Sequence, residues 1–111
     1  MGYRSHVMLE LAKEQNDIFQ ALYAVKFPDD AEWLFSCIQD CDDEATLYNF
    51  EYIKWYEGYP EVFFTQKFLD SIDYKQYHLV RVGEDGEDTE EHGELDRYNL
   101  HIRRETSIHW E

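Results

Sequence analysis

Residues 83–96, GEDGEDTEEHGELD, hold eight acids among fourteen positions and neither Lys nor Arg. Carboxylates at that density cannot be taken out of water together, so the segment must lie at the surface. The segments on either side alternate apolar and polar residues and read as strands: YHLVRV (77–82) and NLHIRRETSIHW (99–110). In the second, Leu100, Ile102, Ile108 and Trp110 share one face, with His101, Arg103, Glu105, Ser107 and His109 on the other, and Arg104 interrupts the apolar side. The pattern predicts an antiparallel hairpin of 77–82 with 99–109, the acidic run forming its long loop.

Upstream, HVMLEL (6–11) alternates and predicts a first strand. KEQNDIFQALYAVKF carries Ile18, Leu22 and Val25 at helical spacing, and Pro28 ends that helix. Asp29 and Glu32 form a D-x-x-E capping pattern ahead of Trp33, Leu34, Cys37, Ile38 and Cys41, which predicts a short helix over 30–40. ATLYNFEYIKWY (45–56) is rich in strand-favouring residues, with Tyr48, Phe50, Tyr52 and Tyr56 on one face and Leu47, Ile53 and Trp55 on the other. EGYP (57–60) reads as a turn, and EVFFTQKFLDSID sets Phe64, Phe68, Leu69 and Ile72 at helical spacing. The order β-α-α-β-α-β-β fits one α+β domain over 1–111: a small, mainly antiparallel sheet with helices packed on one face.

Apolar residues make up 43% of the 111, enough for a core despite a net charge of −15. A field of that sign repels nucleic acid and anionic lipid and draws in basic partners. No apolar run is long enough to span a membrane, and MGYRSHVMLELAKEQ lacks the pattern of a signal peptide. Gly2 and Ser5 miss the myristoylation spacing by one place. The expected location is the cytoplasm, that of the host cell if the protein is phage-encoded.

The candidate site is the acidic run itself. Glu84, Asp85, Glu87, Asp88, Glu90 and Glu91 either form a solvated surface or imitate a row of phosphates that Arg and Lys of another protein would meet. Asp40, Asp42, Asp43 and Glu44 extend the negative surface. Tyr56 and Tyr59 are candidate contact anchors beside the charge. If the six acids only repel one another, neutralising them should leave the fold intact or slightly stabilised.

No metal or cofactor is expected. DCDDEATLYNFE (40–51) has the acid spacing of an EF-hand but Ala45 where the loop needs Gly, and a strand pattern follows it. Cys37 and Cys41 stand four apart, poor spacing for a disulfide within one helix, and read as reduced thiols in a core. The histidines (6, 78, 92, 101, 109) show no zinc spacing, although His101 and His109 would share a strand face. No nucleophile elbow, P-loop, dinucleotide fingerprint or HExxH occurs, so no enzyme is predicted.

MGYRSHV at the start, KWYEGYPEV in the middle and VRVGEDGED later resemble a family of small acidic proteins of bacteriophages and prophages. That family opens MGYRS followed by Asp and Val, and His6 stands here in the Asp place. The resemblance brings no catalytic assignment. It implies a mobile-element origin, where small acidic proteins block host defences. The first reading is therefore a non-enzymatic inhibitor covering a basic, nucleic-acid-binding surface of a host defence protein, a CRISPR or restriction component. It would touch neither nucleic acid nor membrane directly. The alternative is a phage accessory or assembly protein whose acidity serves solubility only. An enzyme with a site that no motif reveals is third.

Overall fold

The computed structural model describes residues 3–56, 58–102 and 108–110. The chain runs β1 (Ser5–Ala12), α1 (Lys13–Lys26), α2 (Ala31–Ser36), β2 (Ile38–Cys41), β3 (Ala45–Ile53), α3 (Pro60–Asp70), β4 (Tyr77–Gly83), β5 (Thr89–Gly93), β6 (His101–Ile102) and β7 (Ile108–His109). The first five strands form one antiparallel sheet in the order β2-β3-β1-β4-β5, and β6 pairs with β7 separately. This is the α+β architecture that the periodicities predict.

Strand β1 is central and buried on both faces. Val7, Leu9 and Leu11 point to the helical side, and Met8 and Glu10 point to the other. On the helical side Phe19 and Tyr23 of α1 and Phe68 and Leu69 of α3 close over the sheet. Phe19 alone meets Tyr23, Tyr48, Phe64 and Phe68 at ring-centroid distances of 5.3–6.1 Å. The opposite face is covered as well, by the chain after β5: Tyr98, Leu100 and Ile108 pack on Met8, Leu47, Val80 and Val82, and Trp110 sits at the margin.

Several expectations change. Segment 77–82 does not pair with 99–109; β4 pairs with β1 and with β5, which lies inside the acidic run. Strand β5 is TEEHG and has no apolar face, so periodicity could not reveal it; as an edge strand it needs none. Leu100 and Ile108 of the 99–109 segment pack on the sheet instead. Arg104, with the rest of 103–107, lies outside the described residues.

Helix α1 is rotated from its aliphatic stripe. Its buried positions are Asn16, Phe19 and Tyr23, while Ile18, Leu22 and Val25 are 49%, 48% and 83% exposed. Two large rings bury more apolar area than the aliphatic side chains do. Hydrogen bonds also fix the orientation: the Tyr48 hydroxyl donates to Asn16 Oδ1, Asn16 Nδ2 donates to Thr46 Oγ1 at 3.2 Å, and Gln20 Nε2 donates to the Tyr48 oxygen at 2.9 Å.

The second helix stops at Ser36, and β2 takes up 38–41, so Cys37 and Cys41 share no helical stripe. Both thiols are free; Cys37 is half-buried against the core, whereas Cys41 is exposed and not in it. Neither Asp29 nor Glu32 caps the helix: Asp29 lies in a 3-10 turn, and the N-cap residue Asp30 makes no side-chain capping bond. In β3 the pairing steps from Val7↔Phe50 to Ser5↔Ile53, a bulge of one residue. The extra residue reverses the alternation, so Ile53 and Trp55 join Phe50 on the helical side.

Candidate functional site

Strands β4 and β5 form a tight hairpin, and the turn between them carries the exposed acids. Gly83 N–H donates to Asp88 O at 2.7 Å, and Gly86, with φ 77°, donates to Gly83 O at 2.9 Å. Asp85 Oδ1 accepts from the backbone of Glu87 and of Asp88, both at 3.0 Å. Those two N–H groups hold the Asp85 carboxyl below the usual range. Glu84 Oε1 accepts from Arg4 N–H at 3.3 Å. The Tyr3 side chain packs closely on Gly83: a Cβ there would lie 2.1 Å from the Tyr3 hydroxyl and would have to displace it. The turn is thus fixed by its own backbone and by the strand start at Tyr3–Arg4.

Three acids of the hairpin face internal cations. Arg81 is 7% exposed. Its Nη1 and Nη2 donate to the two Asp88 oxygens at 3.1 and 2.7 Å, its Nε donates to Glu90 Oε1 at 2.8 Å, and Nη1 also reaches Ser5 Oγ at 3.0 Å. The Arg81 hydrogen bond lowers the Asp88 pKa. Glu91 meets His78 Nε2 at 2.7 Å on the opposite face of the hairpin. The other His78 nitrogen, Nδ1, lies 3.8 Å from Oε2 of the fully buried Glu10, an ion-pair distance and not a hydrogen bond. Burial by itself would lower the His78 pKa, but the carboxylates of Glu10 and Glu91 outweigh it and the net shift is upward. Glu10 Oε1 accepts from Arg97 N–H at 2.8 Å and Tyr98 N–H at 3.3 Å, which ties the C-terminal segment to the sheet.

The six candidate acids therefore separate into two groups. Asp88, Glu90 and Glu91 are partnered by Arg81 and His78 while keeping side-chain exposures of 43%, 37% and 55%. Glu84, Asp85 and Glu87 form the exposed turn, and Glu87 has no side-chain partner among the described residues. This overturns the expectation that all six can be neutralised without cost, because Arg81 would be left buried and unpaired. Arg81 and His78 were missed because the run was counted alone. Arg81 stands directly across from Glu90, and His78 is diagonal to Glu91.

Strands β3 and β4 both run antiparallel to β1, so both exit at the same end of the sheet. The loop after β3 carries Tyr56 and Tyr59, 36% and 40% exposed with ring centroids 5.6 Å apart, and the acidic turn leaves the same end. The acids at 40–44 lie at the other end of the sheet, roughly 24 Å away along β1. They belong to the β2–β3 turn, where Asp42 Oδ1 accepts from Glu44 and Ala45 at 2.7 and 3.0 Å, and Arg97 pairs with Asp42 and Glu44. The backbone bonds, first of all, keep the Asp42 pKa low. A strand hairpin here leaves no helix–loop–helix for calcium. Among the described residues no group of three His, Cys, Asp or Glu is arranged to hold a metal ion, and no helix is long and apolar enough to cross a membrane.

Compared with known proteins, the chain matches no family model, no curated protein and no solved structure.

Proposed function

We propose that the protein is a non-enzymatic binding protein that sets the hairpin end of its sheet against a basic protein surface. The observation that carries this reading is the turn Glu84–Asp85–Glu87, three exposed acids on a backbone that hydrogen bonds hold in place. Fixed charges steer a basic partner and lose little freedom on binding. Tyr56 and Tyr59, at the same sheet end, supply rigid apolar area for contact. Carboxylates spaced along a hairpin suit a surface whose Arg and Lys otherwise grip phosphates. The partner class is therefore a nucleic-acid-binding protein; the resemblance to phage proteins narrows it to a bacterial host's, a CRISPR or restriction component being the specific form.

The experiment is capture from bacterial lysate by wild type and by Glu84→Gln/Glu87→Gln, with and without competing duplex DNA. Basic proteins held by wild type, released by DNA and by salt, and lost from the variant support the reading. Capture indifferent to salt, DNA and the two substitutions sinks it. A second reading, an accessory or assembly protein, draws on the exposed Ile18, Leu22 and Val25 of α1. It predicts association that strengthens with salt and disappears in Leu22→Glu.

A further inference from the structure

Between α2, the exit of β3 and the first half of α3 lies a cleft of about 330 Å³. Three rings line it in near-parallel array: Trp33 on Phe50 at 5.6 Å and 23°, and Phe50 on Trp55 at 6.1 Å and 25°. Trp33 is 43% exposed, so part of its surface stays open to a further flat group. Two residues of the lining carry buried polar groups with no hydrogen-bond partner among the described residues: the hydroxyl of Tyr23, a residue only 1% exposed, and Trp55 Nε1. Unmet buried polar groups are costly, and a cleft roughly ten times the volume of one water has room for more than solvent. Asp30 and Glu61 line the same cleft, against Lys54 as the one cation among the described residues of the lining. Burial, then the charges of Asp30 and Glu61, push the Tyr23 pKa up, so its hydroxyl keeps its proton.

We propose that this cleft binds a guanidinium group, the side chain of an arginine on the basic partner. The inference deepens the proposed function and rests on it for the source of the arginine. A guanidinium is flat, stacks on tryptophan, and offers five donors in a fork that fits carboxylates. It would lie against Trp33 and donate to Asp30, Glu61 and the Tyr23 oxygen. Trp55 Nε1–H can only donate, and it would take the carbonyl of the peptide that carries the arginine. A neutral aromatic ligand would cover the two carboxylates without compensating them. An ammonium would compensate them but has no plane to stack.

The test uses N-acetyl-arginine amide as the probe, followed by the indole N–H resonances of ¹⁵N-labelled protein. Of the three tryptophans, Trp33 and Trp55 line the cleft and Trp110 packs on the far face of the sheet. The expected result is a saturable shift of Trp33 and Trp55 with Trp110 unmoved, the Trp55 signal moving in the direction of a new hydrogen bond. The isosteric neutral N-acetyl-citrulline amide should bind about tenfold more weakly or worse. Asp30→Asn/Glu61→Gln should lose about tenfold for the arginine compound, with its own unliganded spectrum as the control for folding. Citrulline binding as well as arginine, a double variant with wild-type affinity, or no saturable shift at all would each overturn the proposal. Glu84→Gln/Glu87→Gln should bind the small compound unchanged. Binding of the compound together with partner capture indifferent to those hairpin changes removes the hairpin reading alone. Hairpin-dependent capture with no binding of the compound removes the cleft alone.

Discussion

The two faces of the sheet are closed by different physics. The helical face is held by interlocked rings around Phe19, with hydrogen-bonded polar groups around them: Asn16, Thr46, Gln20 and Tyr48 near α1, and Arg81 with Ser5 at the hairpin end. The other face is closed by a short irregular segment with a smaller apolar cluster, fastened by one buried carboxylate, Glu10, that reads two backbone N–H groups and faces His78. A ring cluster tolerates adjustment because dispersion is non-directional. A buried charge does not, because losing one partner strands the other. The first face should therefore fail gradually under substitution and the second abruptly.

The largest expected effect tests the ring side. Phe19→Ala should cost about 4 kcal/mol, measured by denaturant unfolding, whereas Phe19→Leu should recover more than half of that. If the two variants are equally unstable, the face depends on ring geometry and the contrast narrows. On the opposite face Glu10→Ala should cost about 3 kcal/mol. Hydrogen exchange should then show Arg97 and Tyr98 amides losing protection before those of β1. Uniform loss across the sheet would mean that the two faces unfold as one. Gly93→Ala comes next, at about 2 kcal/mol, because φ is +88° and a Cβ would meet the Tyr77 carbonyl oxygen at 2.1 Å. That loss belongs to the hairpin edge and should leave the C-terminal amides as protected as before.

Acidity gives a finer probe. The His78 pKa is raised in the folded protein, so its charge contributes in full below the ordinary histidine value of about 6.5 and is lost as pH rises through the raised value. The melting temperature of wild type should exceed that of His78→Gln most at about pH 6 and approach it toward about pH 9. A pH-independent difference would mean that His78 acts by packing alone. The smallest effect is Glu87→Gln, which should leave the melting temperature unchanged, since the turn is held by Asp85 and not by its neighbour.

What the sequence reveals follows the same division. Strand β1, helix α3 and the apolar face of β4 are legible because each buries one side against a large partner, so the period shows. Ile18, Leu22 and Val25 mislead because helical spacing identifies a stripe without saying which of two stripes the sheet will take. Strand β5 leaves no trace, since its partner is a backbone edge and its side chains meet charges. The Tyr56–Tyr59 pair and the exposed acids were found by residue type. The cations beneath them needed the register, which only the paired strands supply. The cleft at Trp33 and Trp55 was hidden by the bulge in β3, which turns Trp55 to the helical side.

The Glu10 tie joins residues 87 and 88 positions apart, and this bears on how the chain is made. On a ribosome β1 emerges before both of its sheet neighbours. Its neighbours β3 and β4 follow much later, and the backbone that satisfies Glu10 later still. At about 5–20 residues per second the carboxylate waits roughly 4–17 s for its N–H partners. Through that interval water alone can satisfy the Glu10 carboxylate, so burying this part of β1 earlier would carry the cost of an unpaired polar group.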